Sequence, residues 1–104
     1  MTLEVTYNVY RRIIQYSKSY NKPIPILRYK RPEKINVGDI IRIRSMQMAS
    51  RTKTLVAEVV DIKEYNVLRD RIPYDELEPI YKDYLKQIPK LTKVVIVYVK
   101  PINF

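Results

Sequence analysis

Basic residues concentrate in the N-terminal half of the chain, with tyrosine among them, and this composition suits binding to a polyanion. Residues 1–54 hold 12 lysines and arginines against three acids, whereas residues 55–104 hold eight of each sign. The net charge of +9 therefore belongs to the first half. Arginine suits phosphate because its planar guanidinium makes two parallel, charge-assisted hydrogen bonds. The pattern predicts a nucleic-acid-binding surface made of Arg11, Arg12, Lys22, Arg28, Tyr29, Lys30, Arg31, Arg42, Arg44, Arg51 and Lys53.

The expected ligand is RNA or single-stranded DNA, with RNA preferred and with low sequence specificity. Tyr29 stands among cations, so we predict that it stacks on an unpaired base. Tyr16, Tyr81 and Tyr98 fall on apolar faces and are predicted to lie in the core. If six to eight cations contacted phosphates, log affinity would fall with log salt at a slope of roughly −5 to −7.

The residue types exclude several kinds of catalytic and metal site. The chain has no cysteine and no histidine, which rules out disulfides, thiolate metal sites and catalysis by serine–histidine or cysteine–histidine pairs. Glu58, Asp61 and Glu64 follow one another closely, but on a strand Asp61 faces away from the other two. We therefore predict no metal, no cofactor and no catalytic residue. Glu58 is expected to pair with Arg28 or Arg42, the alternative being a lone carboxylate base.

Length and composition predict a single globular domain over residues 1–104, inside the cell. No apolar run approaches the roughly 18–20 residues that span a bilayer, so no membrane partner is expected. The first residues lack the basic and apolar regions of a signal peptide, which favours a cytoplasmic location. Frequent Lys, Arg, Ile and Tyr, with one glycine and seven prolines, indicate a thermophilic source. The sequence does not indicate an oligomeric state.

The spacing of apolar residues predicts an α+β domain in which two helices flank a sheet. Val9 and Ile13 lie on one face of the first helix, and Thr6 is its candidate N-cap. Gly38 and Asp39 form a turn before a strand in which isoleucine alternates with arginine. The next strand has a nearly continuous apolar run, which indicates burial on both faces. The predicted order is helix 7–20, edge strand 24–29, strand 40–48, strand 55–62, helix 73–87 and central strand 94–99, with a short strand possible before the first helix.

This order of elements resembles that of ASCH domains, members of the PUA-like superfamily. The segment Ile35-Asn-Val-Gly-Asp-Ile-Ile-Arg-Ile43 resembles the K-x-G-D-x-I-x-I strand entry of that family. Ala57-Glu-Val-Val-Asp-Ile-Lys-Glu-Tyr65, an acidic helix and a valine-rich last strand follow in the same succession. The resemblance covers roughly residues 7–100. It implies a small, mixed or antiparallel, partly closed β-barrel with two flanking helices and a cleft for nucleic acid or a modified nucleoside.

The chain departs from the signature of that family, G-x-K-x-x-E/T-x-R. The equivalent stretch is Asn21-Lys-Pro-Ile-Pro-Ile-Leu-Arg28, in which only Arg28 matches in register. Pro23 stands at the lysine position and Ile26 at the Glu/Thr position, and neither side chain can move a proton or orient water. The resemblance therefore implies an ASCH-like domain used for binding.

Two alternatives to nucleic-acid binding remain open at the level of sequence. Small ASCH members include acetylcytidine amidohydrolases, so hydrolysis of a modified nucleoside by Glu58 with Lys22 and Arg28 is one of them. The other is a protein-binding or inhibitory module, for which Met46-Gln-Met48 offers an adaptable apolar patch.

Overall fold

One mixed five-stranded sheet and one helix make up the described part of the chain. The structure, a computed structural model, describes residues 2–19, 23–28, 30, 32, 34–46, 53–73, 75 and 93–103. The order of strands across the sheet is β1-β3-β4-β5-β2, with β1 parallel to β3 and the other neighbours antiparallel. The elements are β1 (Thr2–Val5), α1 (Tyr7–Ser19), β2 (Ile24–Arg28), β3 (Ile40–Ser45), β4 (Leu55–Asn66) and β5 (Lys93–Asn103).

This architecture confirms the predicted α+β class, but the sheet is not the partly closed barrel that was predicted. The sheet is open, because β1 and β2 are its two edges and no strand ladder joins them. The short strand suggested before the first helix is present as β1, and β2 is an edge strand as predicted. The second predicted helix, 73–87, lies outside the described residues except for positions 73 and 75.

Helix α1 begins where its capping residue predicts. The backbone N–H of Val9 donates to Thr6 Oγ1 at 3.3 Å, which satisfies one of the free donors of the first turn. Val9 and Ile13 are buried, so the predicted apolar stripe faces the sheet. Within the described ranges, no helix is long and apolar enough to cross a membrane.

The turn before β3 determines which way that strand's side chains point. The backbone N–H of Asp39 donates to the Asn36 carbonyl at 3.1 Å, and Gly38 between them has a φ of 96°. A positive φ at the third position is typical of a type II turn and favours glycine. Gly38 and Asp39 are also hydrogen-bonded to Val59 on β4. These bonds set the pairing of β3 with β4, in which Ile41 lies opposite Ala57 on the buried face.

Apolar side chains pack on both faces of the sheet. The larger cluster lies under α1 and includes Val95, Val97 and Val99, while Val94 and Ile96 belong to a second cluster on the other face. The valine-rich strand β5 is therefore central, as predicted. The prediction that β4 is buried on both faces is wrong for its first half. There every second residue, such as Ala57, is buried, and the residues between them are only half-buried.

Two strands run further than the apolar pattern predicts. β4 continues to Asn66 and β5 to Asn103, because each provides the other with hydrogen-bond partners beyond its apolar core. Pro101 is accommodated in β5 beside a register shift at Val56 and Ala57, an irregular position where a missing N–H is tolerated. The predicted strand 40–48 ends at Ser45 within the described residues.

Candidate nucleic-acid interface

Strand β3 presents two of the predicted arginines side by side on the solvent-facing side of the sheet. Arg42 and Arg44 are exposed, while Ile41 and Ile43 between and beside them are buried. Residues two apart on a strand share a face and lie about 6.6 Å from each other. Thr2 of β1 lies opposite Arg42 and is also exposed. This part of the sheet can therefore place two guanidinium groups along one extended ligand.

Glu4 on β1 neutralises one of these arginines. Its side chain accepts a hydrogen bond and ion pair from Arg44, directly opposite it in the parallel ladder. About half of each side chain is exposed, so water screens the pair and its contribution to stability is small, about 0–1 kcal/mol. Arg42 forms no ion pair or hydrogen bond with the described residues. The guanidinium of Arg42 is therefore available to a ligand without displacing a protein contact.

Arg28 approaches the same part of β1 from the opposite edge of the sheet. Its guanidinium donates to the Leu27 carbonyl at 3.1 Å and to the backbone carbonyl of Glu4. Since β2 and β1 are the two edge strands, this side chain joins them where no ladder does. Glu4 thus contacts Arg44 through its carboxylate and Arg28 through its backbone carbonyl.

Two further predicted residues, Arg11 and Lys53, contact tyrosines in the first turns of α1. The Tyr10 hydroxyl donates to the Lys53 carbonyl, which fastens the segment before β4 to the helix. Arg11 lies over the ring of Tyr7, with the guanidinium carbon 5.9 Å from the ring centre. Arg11 and Lys53 are exposed. Burial raises the pKa of Tyr10, and neighbouring Tyr7 raises it further, so Tyr10 keeps its proton and remains a donor at neutral pH.

The other predicted residues do not join either group in the described part of the chain. Arg12 is half-buried and has an interaction partner, and Lys30 is exposed in the turn after β2. Four of the predicted residues lie outside the described residues: Lys22, Tyr29, Arg31 and Arg51.

Two solved structures of a protein from Zymomonas mobilis share this fold. The ASCH protein of that organism matches with a TM-score of 0.67 and 14% sequence identity, over 99% of this chain and 72% of that one. A tyrosine-to-phenylalanine mutant of it matches with a TM-score of 0.66 and 16% identity, over 99% of this chain and 74% of that one. The chain has the fold of an ASCH domain. No family model and no curated protein sequence matches it.

The ASCH signature positions lie on and beside β2, and their burial differs sharply. Pro23 is exposed just before the strand. Ile26, at the Glu/Thr position, is 0% exposed and packs in the core under α1. Arg28 is half-buried at the end of the strand and makes the two carbonyl contacts given above. The residue that the resemblance places at the Glu/Thr position, Ile26, therefore faces the core in this chain.

Glu58 is not arranged as a catalytic partner of Arg28. It lies on the solvent-facing side of β4, opposite Ile40 and Lys100. Arg28 pairs with Val95, which belongs to the core on the other face of the sheet. The ion pair expected between Glu58 and Arg28 or Arg42 is not formed. No cluster of three or more metal-binding side chains occurs in the described ranges.

Three residues of this region, Glu4, Tyr7 and Tyr10, were not among the predicted site residues. Glu4 was overlooked because its importance comes from strand pairing, which the local sequence does not show. Tyr7 could have been found, since Tyr7, Tyr10 and Arg11 are three and four positions apart and share one face of a helix.

Proposed function

We propose that this protein binds single-stranded nucleic acid, RNA in preference to DNA, through the solvent-facing side of β1 and β3. The observation that carries the proposal is the position of Arg42 and Arg44 side by side on one exposed strand face. The resemblance to ASCH domains, which implies a cleft for nucleic acid or a nucleoside, supports the same ligand class. The burial of Ile26 and the separation of Glu58 from Arg28 give no support to the hydrolytic alternative.

Changing Arg42 and Arg44 to alanine together should weaken binding about tenfold or more at low salt, because each loses a charge-assisted contact to phosphate. The slope of log affinity against log salt should become shallower by roughly 1.4, because each of the two lost phosphate contacts contributes about 0.7 on a single strand. Fluorescence anisotropy with short single-stranded RNA and DNA and with duplexes, each at several salt concentrations, measures both quantities.

Arg69 and Arg71 provide a matched control for this experiment. Both are exposed and lie after β4, in the half of the chain whose charges balance. Their double alanine variant loses the same charge, so it should retain nearly the wild-type affinity and slope. Equal weakening by the two double variants would indicate a general effect of net charge and contradict the proposed surface. Absence of binding by the wild-type protein at low salt would overturn the nucleic-acid function itself.

Glu4→Gln should strengthen binding, which is the opposite of the usual effect of a substitution in a binding surface. The change removes the carboxylate that pairs with Arg44 and adds one net positive charge beside Arg42. We expect about three- to tenfold tighter binding at low salt, with a slope steeper by up to about 0.7 from one further phosphate contact. The same anisotropy titrations measure it.

Glu64→Gln is the control for the Glu4 variant. Glu64 is an exposed acid of β4 that forms no ion pair with the described residues, and its replacement by glutamine changes the net charge by the same amount. A gain in affinity confined to Glu4→Gln supports a local role for this carboxylate. An unchanged or weaker affinity of Glu4→Gln would contradict the placement of the ligand beside Arg44.

A further inference from the structure

The first two turns of α1 carry two aromatic rings and a guanidinium group, and the ring of Tyr7 contacts the other two groups. The rings of Tyr7 and Tyr10 are nearly parallel, with an angle of 14° between their planes and 6.4 Å between their centres. The guanidinium carbon of Arg11 lies 5.9 Å from the ring centre of Tyr7. We call these three side chains the Tyr7 platform. Its groups are all planar, and planar groups are what an unpaired base stacks upon.

The inner part of the Tyr7 platform is rigid, and its outer part is accessible to a ligand. Tyr10 is only 4% exposed, and its hydroxyl is hydrogen-bonded to the Lys53 carbonyl, so its ring is fixed. Tyr7 is half-buried and Arg11 is exposed. A ligand therefore reaches Tyr7 and Arg11 but not Tyr10, and little side-chain freedom is lost when it binds.

The surroundings of the platform are basic. Lys53 is exposed and directly attached to it through the Tyr10 hydrogen bond. Lys53 also lies two residues before β4, whose first residue, Leu55, pairs with Ile43 on the face of the sheet under α1. Tyr98 also has a cation over its ring, Lys63, but that lysine is paired with Asp61.

We propose that an unpaired base stacks on Tyr7 and Arg11 while a flanking phosphate contacts Lys53. This inference rests on the proposed function and deepens it, because it assigns base stacking, and hence preference for single strands, to one end of α1. Stacking on an aromatic ring and a guanidinium accepts any base, so the site adds affinity without reading sequence.

The test compares two single-stranded DNA probes of equal length and charge, one with bases and one with an abasic backbone. The wild-type protein should bind the probe with bases roughly 5- to 100-fold more tightly, the range expected for one stacked base. Tyr7→Leu keeps apolar volume but removes the ring, so this ratio should fall close to one with unchanged affinity for the abasic probe. Tyr7→Phe should retain the ratio. Arg42→Ala with Arg44→Ala should weaken both probes equally.

Each outcome separates this inference from the proposed function. Binding of both probes with equal affinity by the wild-type protein, or an unchanged ratio in Tyr7→Leu, overturns the stacking site and leaves phosphate binding standing. Binding of neither probe overturns both. Arg11→Ala changes an exposed side chain and keeps the core intact, so this variant tests the stacking site if Tyr7→Leu does not fold. Its ratio should fall several-fold, and an unchanged ratio there likewise overturns the stacking site.

Discussion

Ile26→Thr should lower the free energy of unfolding by about 2–4 kcal/mol, because it removes one buried methyl group and replaces a buried methylene by a hydroxyl. Ile26→Glu should leave the domain unfolded, since burying an unpaired carboxylate costs several kcal/mol out of a typical total of roughly 5–15. Both substitutions restore residues of the ASCH signature, yet Ile26 is fully buried among the side chains under α1. Urea unfolding followed by circular dichroism measures the loss.

Ile40→Thr is the matched control for Ile26→Thr. Ile40 is the first residue of β3 and is 55% exposed, so the same chemical change there should alter stability by no more than about 0.5 kcal/mol. If Ile26→Thr were as stable as Ile40→Thr, Ile26 would not be a core residue. The signature position would then be open to a ligand, and the hydrolytic alternative would regain support.

Arg28→Ala should destabilise the domain by about 1.5–3 kcal/mol, because a charged donor that bonds two backbone carbonyls is lost. The carbonyl of Glu4 lies on an edge strand, and without Arg28 the two edges of the sheet lose the contact that joins them. Arg28→Lys should recover part of the loss, since lysine keeps the charge but lacks the planar fork. Urea midpoints measure stability, and hydrogen exchange of the β1 amides shows whether the edge opens.

Arg42→Ala separates this effect from a loss of charge. Arg42 is exposed and has no partner among the described residues, so its removal should change stability by about 0.5 kcal/mol or less. Equal stability of Arg28→Ala and Arg42→Ala would show that the contact between the edges contributes nothing. For nucleic-acid binding, Arg42 and Arg44 are consequently the cleaner variants, because a change at Arg28 alters the sheet as well as the surface charge.

Several predictions that rest on local patterns agree with the structure. Alternation along β3 predicted that Ile41 and Ile43 share one face and Arg42 and Arg44 the other, and the isoleucines are indeed buried while the arginines are exposed. A strand places successive side chains on opposite faces whatever its partner is, so this assignment needs no knowledge of the fold. The capping role of Thr6 and the turn at Gly38 are equally local, because each depends on a few neighbouring residues.

The lengths of β4 and β5 and the burial of β4 could not be predicted from local patterns. Both strands continue past their apolar segments because each supplies the other with backbone partners. The apolar run of β4 indicated burial on both faces, but only the face under α1 is covered along its first half. How much of a strand is buried depends on what packs against it, and a single segment does not contain that information.

The sequence by itself determined the fold class, the basic half, and the alternation that exposes the arginines of β3. Only the tertiary structure decided that β1 lies parallel to β3, that Glu4 pairs with Arg44, and that Arg28 reaches Glu4 from the far edge of the sheet. It also brought Lys53 to Tyr10, which is 43 positions away in the chain. Periodicity and capping act between near neighbours, whereas these contacts depend on strand order and register, which are set by the packing of the whole sheet.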